Sequence, residues 1–98
     1  MPFAEFKKRP LVVEAALIAD IIEAWREDPD SLPEWFLEAR QGDVVHVKPD
    51  GVHVATKEGM MFGGPDSYLI RGVKGELYPC GGDVFSETYV PVKKRAKK

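Results

Sequence analysis

The chain has 98 residues, 44% of them hydrophobic and 31% charged, with a formal net charge of −2. That length supports one domain with one modest core, and a homodimer or small homo-oligomer is a natural way for it to add buried area. No apolar run approaches the roughly 20 residues that span a bilayer. The leading MPFAEFKKRP lacks a signal-peptide core, and the single Cys80 excludes an intrachain disulfide, so the expected setting is a reducing cytoplasm.

The charge is unevenly spread. The last six residues, KKRAKK, hold five of the 14 basic residues, leaving nine against 16 acidic ones and a body of about −7. Such a body repels phosphate on average. Residues 93–98 are therefore read as a basic, disordered tail on a single domain of residues 1–92. Contact with nucleic acid is expected through that tail or not at all.

In chain order, Pro10 favours an extended approach to Leu11, Val12 and Val13, which prefer strand. A strand is expected at about 10–17. Ile18, Ile21, Ile22 and Trp25 then fall at the i, i+3, i+4, i+7 spacing of one helical face. A helix is expected at about 20–27 with Asp20 as its cap. Pro29 breaks it. Ser31 with Glu34 makes a capping-box pattern for a second helix at about 32–40, closed by Gly42.

From Asp43 the period becomes two. VVHVKPDGVHVAT reads as a hairpin with Asp50-Gly51 at its tip. That register sets Val47 opposite Val54 and Val45 opposite Thr56, with His46 and His53 diagonal on the other face. Lys57-Glu58-Gly59 is a second turn, Met60-Met61-Phe62 a short apolar strand, and residues 63–67 a loop. Tyr68-Leu69-Ile70 and Glu76-Leu77-Tyr78 are strands around a Gly72–Gly75 turn, ended by Pro79, which cannot donate to a ladder. Residues 83–89 form one helical turn with Asp83 as cap and Phe85 and Tyr89 inward. The expected class is α+β, with two short helices packed on a mainly antiparallel sheet of four or five strands.

No motif singles out chemistry. Gly72-Val73-Lys74-Gly75 is not a phosphate loop, because no Lys-Ser/Thr pair opens a helix after it. Two histidines are too few for a metal site without a third donor, and Lys48 beside His53 would oppose a cation. Cys80 lacks any nucleophile signature and reads as a packed residue. The acids show no acid–base spacing. No catalytic residue, metal or cofactor is assigned.

Two residue groups remain as candidate binding sites. Tyr68, Arg71, Lys74, Glu76 and Tyr78 combine aromatic faces with cations, which suits stacking a base and pairing a phosphate, although a purely structural hairpin is the default reading and the ligand site the minority one. Trp25, Trp35, Met61 and Phe62 are core residues by default. Any that are exposed become interface anchors.

KRPLVVEA, LPEWFLEA, TKEGMM and, above all, YLIRGVKGELYPC followed by DVFSETY resemble, in order and spacing, a family of small proteins of tailed phages and prophages. The family's members run to about a hundred residues and are of unknown function. Its C-terminal block opens with a Pro-Gly-Asp-Tyr segment, and the matching residues here are Pro65-Asp66-Ser67-Tyr68. Asp66 replaces the glycine and Ser67 the acid, which implies either an altered contact or the same turn made another way. The resemblance implies a phage origin and residence in the cytoplasm of an infected or lysogenic host cell. It supplies no activity and no functional residue. The leading expectation is a non-enzymatic accessory protein that binds a host or phage protein. The alternatives are sequestration or sensing of a nucleotide-like small molecule through the Tyr68–Tyr78 hairpin and, more weakly, nucleic-acid binding through the tail.

Overall fold

The computed structural model describes residue 4 and residues 11–92. The basic tail and the first residue of the expected first strand lie outside them. The elements are β1 (Glu14–Leu17), α1 (Ile18–Glu27), a 3₁₀ turn (Pro29–Ser31), α2 (Glu34–Gln41), β2 (Val45–Lys48), β3 (Gly51–Thr56), β4 (Gly59–Gly63), β5 (Tyr68–Arg71), β6 (Leu77–Cys80) and α3 (Gly82–Thr88). The class is α+β. In place of one four- or five-stranded sheet with two helices, the described residues form two antiparallel three-stranded sheets, ordered β1-β5-β6 and β2-β3-β4, and three α-helices. The second sheet arises because β5 turns away from its neighbour β4 and pairs with β1, Leu17 opposite Tyr68 and Glu14 opposite Arg71. Local periodicity carries no information about a partner so distant in sequence.

α1 follows β1 without a gap. Asp20 lies in the first turn and does not cap it. The Ile18 and Ala19 amides instead donate to the carbonyls of Ser67 (2.9 Å) and Pro65 (3.1 Å). Two of the four unpaired N–H groups of a helix start are thus satisfied by backbone from the β4–β5 loop. The helix face anticipated at Ile18 and Ile21 is buried in the core.

α2 starts two residues later than its capping-box pattern suggests. Pro33 holds Leu32 extended (φ −73°, ψ 153°), so the helix begins after the proline. The Phe36 and Leu37 amides donate to the Pro33 carbonyl. The Ser31 hydroxyl donates to the Asp28 carbonyl (2.8 Å) and takes no part in α2. At the other end, Gly42 is the C-cap, as expected, but the left-handed residue is Asp43 (φ 64°). Val44 N–H donates to Ala39 O and Asp43 N–H to Arg40 O, the paired bonds of a Schellman ending.

The β2–β3 hairpin is shifted by two residues from the expected register: Val45 faces Val54, Val47 faces Val52, and His46 lies directly opposite His53. Its tip is Pro49-Asp50, neither with positive φ. That suits a type I turn, with Pro second and Gly fourth, over a primed Asp-Gly turn. A two-residue slip keeps every side chain on its face, so Val45, Val52 and Val54 are buried as their alternation requires. They form the core with Ile18, Ile21, Leu32, Phe36 and Leu69. Trp25 and Trp35 meet Phe36 edge-on from two sides, centroids 6.5 and 6.4 Å away.

Pro79 lies within β6 opposite Leu69 and does not end the strand. β6 is an edge, where a missing donor is tolerated. α3 is capped by Gly81, not Asp83. It docks through Phe85, which stacks on Tyr68 at 3.9 Å and on Tyr89 at 5.1 Å.

Gly63 at the end of β4 packs closely against α1 and β6. A Cβ there would fall 2.6 Å from Ile18 Cδ1 and 2.9 Å from Pro79 Cβ. Gly63→Val is expected to destabilise the protein by about 1–3 kcal/mol through overpacking. Gly64→Ala, in open space, should stay within about 0.5 kcal/mol. Urea midpoints of the two variants check the contrast. Asp43→Gly removes the left-handed penalty at the end of α2 and should raise stability by a few tenths up to about 1 kcal/mol, read from the same titration.

Candidate functional site

A cleft of about 910 Å³ opens between α2, the β3–β4 turn and the β5–β6 turn. Its floor is apolar: Trp35 and Ala39 from α2, Val44 at the start of the first hairpin, Met61 from β4 and Leu77 from β6. Trp35, Glu38 and Ala39 share one helix face by their i, i+3, i+4 spacing, so α2 turns Phe36 into the core and this set toward the cleft. Its rim carries three acids, Glu38, Glu58 and Glu76, and three cations, Lys57, Arg71 and Lys74.

Several rim groups are already engaged. Arg71 Nη1 lies 3.1 Å from Glu14 Oε1, with both side chains largely exposed. In water such a pair contributes little to stability, but it orients the guanidinium across β1 and β5. Glu76 closes its own turn: Oε1 accepts the Lys74 amide (3.0 Å), and the carboxylate lies where a Cβ on Gly72 would be. The Gly72 amide donates to Glu76 O (2.7 Å), the Gly75 amide donates to Gly72 O (2.9 Å), and Gly75 has φ +86°. This is a type I turn followed by a glycine bulge. Lys57 and Lys74 project from two turns that face each other across the cleft.

The structure therefore divides the five hairpin candidates. Arg71, Lys74, Glu76 and Tyr78 border the cleft. Tyr68 does not, because its strand position faces Cys80 and its ring is covered by Phe85. The four interface candidates divide as well. Trp35 and Met61 line the cleft. Trp25 packs on Phe36 with the Arg40 guanidinium 5.2 Å over its ring. Phe62 is on the other face of β4, tilted against His53 at 4.8 Å and lying over Gly51. Ala39, Val44, Leu77 and the rim residues Glu38, Lys57 and Glu58 escape a sequence reading. They come from separate elements, and only the α2 spacing hints at any of them.

His46 and His53 form a cross-strand pair, and the described residues hold no group of three or more metal-ligating side chains. Cys80 is a half-buried free thiol. No helix among the described residues is long and apolar enough to cross a membrane. No family model, curated protein or solved structure matches this chain.

Burial, reinforced by the neighbouring Tyr89 phenol, pushes the Tyr78 phenol from 10.0 up to about 12. Between these values the unfolded chain has released its proton and the folded one has kept it, so stability falls as pH rises through that window and is unaffected by Tyr78 below it. Phenolate absorbance should show one of the three tyrosines titrating near pH 12, and the denaturant midpoint should decline above about pH 10.

Proposed function

We propose that this protein is a non-enzymatic binding module that engages another protein through the cleft beneath α2. The observation that carries this reading is the composition of the cleft, an apolar floor with Trp35 at one side inside a rim of balanced charge. An apolar centre bounded by a polar, mixed-sign rim is the anatomy of a protein interface, and a partly exposed tryptophan is an effective anchor. A nucleotide-like ligand would call for an excess of free cations. Here Arg71 is shared with Glu14, and Lys57 and Lys74 are matched by Glu38 and Glu58. The covered Tyr68 ring also offers no face to a base.

The resemblance of the sequence blocks to small tailed-phage and prophage proteins supplies the biological setting. The partner is then a host or phage protein, and the compartment is the cytoplasm of an infected or lysogenic cell. The Pro65-Asp66-Ser67 segment suits a structural role, since it acts through the Pro65 and Ser67 carbonyls at the start of α1. Replacing the family's glycine and acid leaves that role available.

Ala39→Glu places a carboxylate on the cleft floor, away from both turns. It should weaken partner binding at least about tenfold, or about 1.4 kcal/mol, with the circular dichroism spectrum retained. Affinity capture from bacterial extract, followed by titration of the captured protein against both forms, reads the effect. Equal binding by the two forms would remove the cleft as the docking site. A mass excess of a few hundred daltons in native mass spectrometry would transfer the cleft to a small anionic ligand held by Lys57, Arg71 and Lys74.

A further inference from the structure

We infer that β4 is a self-association edge: two copies of this chain pair β4 with β4, antiparallel about a two-fold axis at Met61, and join two three-stranded sheets into one of six strands. This inference concerns a different contact from the cleft and holds whether or not the cleft takes a protein.

Among the described residues the two sheets present four edges, and three of them are guarded. β1 carries Glu14, tied to Arg71. β2 carries Lys48 and runs into Pro49. β6 contains Pro79. Charges and prolines at an edge are how soluble proteins prevent strand addition. β4 reads Gly-Met-Met-Phe-Gly, with neither. Met60 and Phe62 are 61% and 47% exposed and Met61 39%, although all three have high value as buried surface. An unguarded apolar edge in a chain that protects its other three edges marks a place where a strand is meant to add.

The sequence of β4 suits a second copy of itself. With Met61 on the axis, Gly59 meets Gly63 and Met60 meets Phe62 of the other copy, so each bulky side chain faces a bulky apolar one and the ends meet glycine to glycine. The flanking charges agree with this arrangement. Antiparallel pairing brings Lys57 of one copy beside Asp66 of the other and sets Glu58 against the uncharged Gly64, whereas parallel pairing would set every charge against its own copy. A two-fold contact of this kind is isologous and closes at two, so it does not propagate into a fibre. It also has a consequence for the cleft. Met61 borders it, and directly paired residues share a face, so each copy brings a methionine to the mouth of the other's cleft.

The test uses the full chain. Opposed residues on the axis have Cα atoms about 4.5–5.5 Å apart, within disulfide range. In a Cys80→Ala background, Met61→Cys should form a disulfide-linked dimer on mild oxidation, while Met60→Cys, which faces Phe62 of the second copy, should link far less. Native mass spectrometry of the unmodified protein should show a dimer. Met60→Lys with Phe62→Lys sets like charges opposite one another and should raise the dimer dissociation constant at least about tenfold. A monomer at the highest soluble concentration would overturn the inference. So would a dimer that Met61→Cys fails to link, or one that tolerates both lysines.

Discussion

The fold depends on the short loop between β4 and β5. Its Pro65 and Ser67 carbonyls accept the first amides of α1, and Gly63 at its start leaves room for both Ile18 and Pro79. Asp66 O lies so close to Gly82 that a side chain there would collide with it. One loop therefore positions α1, β6 and the start of α3 at once. Without it the sheets β1-β5-β6 and β2-β3-β4 would share only side-chain packing through Leu69 and the valines of the β2–β3 hairpin. Backbone hydrogen bonds are directional, so they set an angle between the sheets that nondirectional apolar contact alone would leave loose.

That angle produces the cleft. α2 lies over the second sheet with Phe36 buried, and its next face, Trp35 and Ala39, is left beside the turns that end β3 and β5. The β5–β6 turn contributes most of its polar atoms to its own closure: Glu76 binds the Lys74 amide and the two glycines provide the bulge. It is a self-closed wall with Lys74 at its tip. Rigid walls around an apolar floor limit the ordering cost of binding. The same geometry leaves β4 as an outer strand whose two faces differ: Met61 looks into the cleft, while Met60 and Phe62 lie beside the histidine pair on the other face.

Tyr68, Ile70, Tyr78 and α3 make a second, smaller layer. Ile70 is fully buried yet lies outside the main core, on the sheet face that Phe85 and Tyr89 cover. The first sheet is thus packed on both faces, and this explains the dense aromatic spacing of residues 68–89. Tyr68, Phe85 and Tyr89 stack in series there, and the hairpin between Tyr68 and Tyr78 closes through its own hydrogen bonds.

The local features are legible in the order of residues. The helix face at Ile18 and Ile21, the end of α2 at Gly42, the two turns at residues 57–59 and 72–75, and the burial of alternate valines follow from periodicity and turn chemistry, which act over a few residues. A two-residue error in the first hairpin changed no face, since strand side chains alternate with a period of two. Long-range packing sets the return of β5 to β1, the tolerance of Pro79 at an edge, and the replacement of Asp20 as the cap of α1 by the distant carbonyls of Pro65 and Ser67. It also decided which candidates meet. Trp35, Met61, Arg71 and Lys74 share a cleft, while Tyr68, Trp25 and Phe62 do not. Pairings between distant segments depend on the summed packing of the whole chain, and no single stretch of residues encodes that sum.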